Sequence, residues 1–583
     1  MGEEMREKTV IADGMRIDWD VPITLEDGLV VRADVYRPVA DGQHPVIVSY
    51  GPYGKNVPFQ VIYADQWRLM IRDHPDIAER SSCKYQSWEV VDPEKWVPDG
   101  YVCVRVDSRG AGRSPGVFDM FSAQESRDFY ECIEWAGTQP WSNGKVGLLG
   151  ISYYAVNQWP LASLQPPHLA AICPWEGVSD LYRDMHRNGG MLNTFLAQWF
   201  RTQVLPVQHG YGVRGDYDQN NGMLSAGPET LPEDELAKNR ISPTLQGRAH
   251  PLDDEFYQER RADWSKVTVP LLSCGNWGGH SLHLRGNIEG YLNAASKQKW
   301  LEIHGLEHWT HFYTDYGIAL QKRFFDHFLK GVDNGWDQQP PVLLNIRHPG
   351  ERFVMRKERE WPLARTQWTK LYLDPAERRL SWKPVSTGSQ AEYAPLTSDG
   401  VSFSVTLQHE TEITGPCAAK LFLSSKAAEA DLFLVIQLFD PSGNEVTFAG
   451  SVEPAGPIAQ GWLRASHRKL DPKRSLEYRP YHTHDEEQPL EPGRVYELDI
   501  EIWPTCIVIP AGYKLTFTIQ GKDFERSTIS GQLQTLGTFR GSGPFLHNDP
   551  WDRRPEKVSG QVTVYGGGKK GSYLLLPIIP PRE

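Results

Sequence analysis

The segment Gly150-Ile151-Ser152-Tyr153-Tyr154-Ala155 places a serine directly after a short apolar run, residues 146–149, and directly before a segment of helical character. A strand that turns sharply into a helix lifts the residue at the turn above the sheet edge. A serine hydroxyl presented there is a candidate nucleophile for acyl transfer. Such a turn needs small neighbours, because helix and strand approach closely. Gly150 meets that need, but Tyr154 stands where G-x-S-x-G has its second glycine, and Ala155 is the next small residue. Serine also needs a general base, for which histidine is the default near neutral pH. Three histidines, His304, His308 and His311, follow the apolar run 299–303. His308 lies deepest in the loop after that run and is the expected base, with His304 still in the strand. The same histidines, with Glu307 and the nearby His280 and His283, also suit a water-activating metal site, although no H-E-x-x-H is present.

The elements that must position these groups follow from periodicity. Residues 16–50 predict antiparallel strands, with Asp27-Gly28 as a hairpin turn, and 45–50 predicts a buried strand. Residues 101–107 predict another strand. Phe129, Cys132, Ile133 and Ala136 recur at helical spacing over 126–138. Further strands are expected at 146–149, 168–173, 270–274 and 299–303, then a helix over 316–330 closed by Gly331. Strands alternating with helices imply a mostly parallel sheet covered on both faces. Between 178 and 261 no clear strand is visible, while aromatics, Met, Gly and Asn are frequent. This predicts an inserted helical cap over the strand ends, where such folds keep their sites. From about residue 351 short β-rich runs separated by turn residues (KLYLD, VSFSVTL, LFLVIQLF, YKLTFTIQG) predict an all-β sandwich or jelly roll. The expected division is therefore 1–177 and 262–350 as one α/β core, 178–261 as the cap, and 351–583 as the β domain.

The 583-residue chain is too long for one domain, and 40% hydrophobic with 23% charged residues is ordinary globular material. With 61 Lys+Arg against 74 Asp+Glu, its net charge of -13 disfavours nucleic acid as a partner. The start, MGEEMREKTV, lacks the apolar stretch of a secretory signal, and Arg6 occupies the position where a myristoylation motif wants Ser or Thr. No membrane-spanning run is present. The seven cysteines are scattered, with no C-x-x-C. They are read as free buried thiols in a reducing, cytoplasmic setting.

The longer motifs carry a family resemblance. DGLVVRADVYRP, GPYGKN, DSRGAGRS, GISYYA, RGNIEGY, FFDHFLKG and GWLRASHRKLD together resemble the cocaine-esterase and X-Pro dipeptidyl-peptidase (S15) family of α/β-hydrolases over nearly the whole chain. The resemblance implies a hydrolase core, a helical cap and a C-terminal jelly roll. It also implies acyl transfer through serine without a cofactor or metal. Ser152 matches the family nucleophile. The Tyr153 amide and the Tyr53 hydroxyl match the oxyanion-hole donors, which a tetrahedral intermediate needs. The family's G-P-W-x-H is replaced by Gly305-Leu306-Glu307-His308-Trp309, and its G-G-W-Y-D by Gly275-Asn276-Trp277-Gly278-Gly279. Glycine thus occupies the carboxylate position, yet a catalytic histidine needs an orienting carboxylate. The end of the strand after the nucleophile helix offers another location. Glu176, in Pro174-Trp175-Glu176-Gly177, is the expected acid, ahead of Glu307, Glu289 and Asp180. Trp175, Tyr154 and Trp277 are expected to line the substrate pocket. The expected substrate is a small ester or amide, with esters ahead of X-Pro peptides because the extra N-terminal helical material of the peptidases is missing. Family members often self-associate, which makes a homo-oligomer possible. A non-catalytic binding protein is the remaining alternative, suggested only by the β-rich region.

Overall fold

The computed structural model describes residues 8–581. The reading of the first residues as neither signal nor myristoylation site concerns Gly2 and Arg6 and lies outside the described residues.

The chain opens with β1 (Lys8–Ala12), β2 (Met15–Thr24) and β3 (Val30–Pro38), an antiparallel set. Asp27-Gly28 lies between β2 and β3 as predicted, and Gly28 takes φ +84°, a conformation that costs a glycine little. Then come β4 (His44–Gly51), β5 (Val102–Asp107), β6 (Ser142–Ile151) and β7 (Leu169–Trp175). A two-residue pair, β8 (Arg187–Asn188) and β9 (Met191–Leu192), forms a small separate ribbon. The main sheet resumes with β10 (Leu271–Asn276), β11 (Lys299–His304), β12 (Val342–His348) and β13 (Arg352–Glu358). Its order is β1-β2-β3-β5-β4-β6-β7-β10-β11-β12-β13. Pairings from β5 through β4 and β6 to β12 are parallel. The near-continuous burial of these strands fits a sheet covered on both faces. This is an α/β-hydrolase-like core, with the predicted helices at Ala123–Gly137 and Asp315–Lys330, the latter ended by left-handed Gly331.

Residues 178–261 contain short helices, among them Phe195–Trp199, Glu233–Lys238 and Pro243–Ala249, together with the β8–β9 ribbon that sequence periodicity did not reveal. Two-residue strands are too short to leave a periodic signal. A second correction concerns the boundary at 350/351. Arg352–Glu358 pairs antiparallel with β12 along its whole length, so the first sheet continues past residue 350. The second sheet begins at Gln367–Asp374. Its strands close on themselves: Thr411–Ser425 pairs on one side with Tyr496–Ile509 and on the other with Tyr573–Ile579, and those two are linked through Ala459–Arg464, Asp431–Phe439, Lys514–Gln520, Val401–Thr406, Arg379–Ser381 and Gln367–Asp374. The ring encloses its own core of Leu, Ile, Val and Phe side chains. Among the described residues, no helix is long and apolar enough to cross a membrane.

Candidate active site

Ser152 follows β6 immediately and starts a helical segment, with φ 56° and ψ −113°. Left-handed backbone at a non-glycine residue persists only where its surroundings over-determine it. Here the Ile151 N–H donates to the Glu89 carbonyl and the Ser152 N–H to the Trp175 carbonyl, each at 3.0 Å. The departure from G-x-S-x-G has a steric explanation. Tyr154 fills the space that two glycines leave open. A Cβ on Gly150 would come within 2.4 Å of the Tyr154 Cβ, and one on Gly51 within 2.6 Å of its ring.

Ser152 lines a small cavity. The core contributes Tyr53, Trp88 and Glu89, the insertion Phe195 and Trp199, and the loops after β10 and β11 contribute Leu282, His283, His308 and Trp309. The β domain closes it with Ser451, Val452, Leu536 and Phe545. The wall is thus largely apolar and aromatic, broken by a few polar groups, as small-molecule sites are.

The imidazole in contact with Ser152 is His283, whose Nε2 lies 3.3 Å from Oγ. His308, the expected base, lines the same cavity, and its ring stacks on that of His283 at a centroid distance of 5.0 Å. The His308 Nε2 is turned to the Glu89 carboxyl at 2.8 Å, and its Nδ1 faces Glu176 at 3.8 Å. Burial lowers the proton affinity of both rings, but the outcomes diverge. His283 falls to about 3, with the charge of His308 acting in the same direction. In His308 the hydrogen bonds and charges of Glu176 and Glu89 outweigh burial, and it rises to about 9. His308 is therefore cationic at neutral pH, and His283 is neutral.

Glu176 directly follows β7, in left-handed backbone at φ 51°, and is fully buried. Burial would raise its carboxyl, yet the neighbouring His304 and His308 hold it at about 2. The other carboxyls weighed as the acid are engaged elsewhere: Asp180 with Arg183 and Arg261, Glu289 with Arg479, and Glu307 with the Thr310 hydroxyl. The glycine replacing the family's aspartate also has a physical setting. A Cβ on Gly278 would meet Gly450 Cα of the β domain at 2.1 Å, and one on Gly279 would sit 3.1 Å from two backbone atoms. Gly278 thus has no room for a side chain, and at Gly279, where the family has its aspartate, one would need its neighbours to give by a few tenths of an ångström.

Tyr53 lines the cavity, and its hydroxyl accepts a hydrogen bond from Trp199 Nε1 at 2.9 Å, which leaves its own O–H free to turn toward a ligand. Lys55, two residues on, anchors this loop: its amide donates to Asp107 at 2.7 Å and its buried ammonium pairs with Asp20, Asp34 and Asp107. Tyr153 is the first helical residue after the turn, where an N–H has no intrahelical acceptor. Its phenol points away and donates to buried Glu125 at 2.7 Å.

The expected pocket residues Trp175, Tyr154 and Trp277 do not line the cavity. Trp175 packs under the site against His304 and Phe312, Tyr154 fills the elbow, and the Trp277 indole donates to the Asn345 carbonyl in the core. Each is a large apolar side chain whose burial within the fold outcompetes exposure to a cavity. The metal reading of His304, His308 and His311 is not supported either. The nitrogens of His304 and the Nε2 of His308 are taken up by carboxyls, and among the described residues no three His, Cys, Asp or Glu side chains are grouped to hold a metal ion.

A serine on a strand-to-helix elbow, over a mostly parallel sheet and facing imidazole, defines the serine-hydrolase class of α/β folds. The chain belongs to the X-Pro dipeptidyl-peptidase (S15) family. The family model matches residues 27–313, and the model of the X-Pro dipeptidyl-peptidase C-terminal non-catalytic domain matches 334–575. A CocE/NonD family hydrolase from Staphylococcus aureus is 31% identical, with 99% of this chain and 97% of that chain covered and a TM-score of 0.83. The cocaine esterase of Rhodococcus sp. is 24% identical over 96% of this chain and 98% of its own length. An α-amino acid ester hydrolase, 16% identical with 99% of both chains covered and a TM-score of 0.68, shares the fold.

Proposed function

We propose that this chain is a serine esterase that cleaves small carboxylic esters through an acyl-enzyme on Ser152, with small amides as poorer substrates. The observation that carries this is the Ser152 hydroxyl, held at the elbow 3.3 Å from the His283 imidazole in a largely apolar cavity. Ser152 Oγ attacks the ester carbonyl, and His283 Nε2 takes its proton. The Tyr153 amide and Tyr53 hydroxyl receive the oxyanion. As the tetrahedral intermediate collapses, the proton passes to the departing alkoxide. Water then repeats the sequence on the acyl-enzyme and releases the acid. The similarity to a cocaine esterase and the apolar wall of Phe195, Trp199, Leu282 and Phe545 support an uncharged acyl group.

A second reading makes His308 the acceptor once it has given up its proton and turned its Nε2 from Glu89 to Ser152, and it is favoured by Glu176 facing its Nδ1, the arrangement of a triad. A panel of acyl esters and X-Pro amides against wild type, Ser152→Ala, His283→Ala and His308→Ala separates these. Ser152→Ala should lose at least ~10³-fold in kcat/KM and all covalent labelling by a fluorophosphonate. With His283 as acceptor, His283→Ala abolishes the acylation burst while His308→Ala slows it. The reverse ranking selects His308, and an unaltered burst in Ser152→Ala removes the serine mechanism altogether.

The finer architecture belongs to the same proposal. Residues 178–261 act as a cap, supported by Phe195 and Trp199 in the cavity wall, and the β domain is read as a jelly roll. A reducing, cytoplasmic setting is supported by seven buried free cysteines, and a small molecule rather than nucleic acid is the partner of so acidic a chain.

A further inference from the structure

The carboxyl behind a catalytic imidazole is ordinarily a single side chain. Here Glu176 is one member of a buried row of alternating carboxyls and imidazoles. At its far end Glu302 Oε1 accepts hydrogen bonds from the Tyr316 hydroxyl at 3.1 Å and the Asn345 amide at 2.9 Å. Glu302 Oε2 meets His304 Nδ1 at 2.7 Å, and His304 Nε2 meets Glu176 Oε1 at 3.0 Å. The other Glu176 oxygen faces His308, which in turn meets Glu89. All five members are buried, Glu302, His304 and Glu176 to within 1%. Glu302 and His304 lie two apart on β11, so both project from one face of the strand.

A neutral imidazole has one donor and one acceptor nitrogen, whereas an ionised carboxylate only accepts. His304 lies between two carboxyls within hydrogen-bond distance, and when both are ionised it satisfies both only by carrying a proton on each nitrogen. We propose that His304, held by Glu302, is a positioning residue for hydrolysis: a buried imidazolium that keeps Glu176 ionised and turned toward His308, taking over orienting work that the family's absent aspartate would do. Burial opposes the charge on His304, but Glu302 and Glu176 raise it to about 9. The groups facing Glu176 are His304 and His308, with Glu89, His283 and Cys274 acting at longer range. His304 itself also faces the His311 ring at 5.1 Å, and His311, held by burial at about 3, is neutral and does not compete for either carboxylate.

This inference rests on the serine-esterase reading and on a part for His308 in it; their own failures appear separately, as undiminished turnover in Ser152→Ala and an unaltered burst in His308→Ala. The test is the pH profile of kcat and KM on an activated ester for His304→Gln and Glu302→Gln in the full chain. His304→Gln should lower kcat roughly 10- to 100-fold, the scale on which partners behind a functional imidazole act elsewhere, with KM little changed. The acidic limb of kcat should move to higher pH, because a Glu176 without its cation protonates more readily. Glu302→Gln should shift the limb the same way by less. A folded His304→Gln variant with an unmoved acidic limb overturns the proposal. Should that variant not fold, histidine ¹⁵N resonances of the wild-type chain decide. A doubly protonated ring at pH 8, perturbed by Glu302→Gln, supports the proposal, and the absence of any such ring overturns it.

Discussion

Three non-glycine residues at the site, Glu89, Ser152 and Glu176, have positive φ, and each carries a group that the chemistry uses. Conformations of this kind cost on the order of 1–3 kcal/mol apiece and gather where a side chain must be aimed. Ser152 is aimed at the cavity, Glu176 at two imidazoles, and Glu89 supplies both a carboxyl to His308 and the carbonyl that holds Ile151. At this scale Tyr53 provides a sharp test. Its hydroxyl takes the Trp199 indole N–H, so its own proton is available to the oxyanion. Tyr53→Phe should lower kcat by roughly 10²-fold with KM nearly constant, since one preorganised donor is worth about that much. An unchanged kcat would remove Tyr53 from the mechanism and leave the Tyr153 amide to act alone.

Among elements, the junction of β4, β6 and the Ser152 helix is set by two absent side chains. Gly51 ends β4 and Gly150 lies near the end of β6, and Tyr154 occupies the room both leave. Gly51→Ala pushes a methyl into the Tyr154 ring. Overpacking of this kind costs about 1–3 kcal/mol, so the thermal midpoint should fall and activity with it. Adding Tyr154→Leu should recover part of the loss, because the clash is with ring atoms. If the double variant is no better than the single one, the crowding argument fails. The loop after β10 shows the same logic. Gly278 is pressed against Gly450 and has no room for a side chain, Gly279 beside it stands where the family has its aspartate, and β7 places Glu176 on the neighbouring strand end.

For the whole molecule, the buried histidines determine how stability follows pH. His186, His280, His283, His311 and His467 are each held by burial at about 3, far below the ordinary 6.5. The unfolded chain binds protons at these positions before the folded one does, so stability falls as pH drops from about 6.5 toward 3. Glu176 acts in the same direction lower down, its contribution being lost as pH falls from about 4.5 toward 2. His304 and His308, raised to about 9, act oppositely: their stabilisation is complete below about 6.5 and is lost as pH rises through 9. Thermal unfolding midpoints measured from pH 4 to 10 should therefore peak near neutrality and fall on both sides. His304→Gln should flatten the alkaline side. A midpoint that keeps rising through pH 9 would contradict the charged row. The cavity is likewise a property of the whole chain, since core, insertion and β domain each contribute wall residues.

What the amino-acid order determined by itself is local or motif-borne. Alternating and helical periodicities located the main strands and the helices at Ala123–Gly137 and Asp315–Lys330, because a buried face imposes its period on neighbouring residues. The elbow was visible around Ser152 for the same reason: strand, small residue and helix start are contiguous. Family membership followed from long contiguous motifs. Tertiary structure alone decided which groups meet. Ser152 and His283 are 131 residues apart, and His308 and Glu89 are 219 apart. Glu89 lies in a stretch with no motif, so no spacing could point to it. His283 had one usable signal, a titratable side chain in the loop where the family's aspartate is missing. The pocket aromatics show the limit most plainly. A tryptophan in sequence is equally apt for core or cavity, and only the packing around Trp175 and Trp277 settles that both lie in the core.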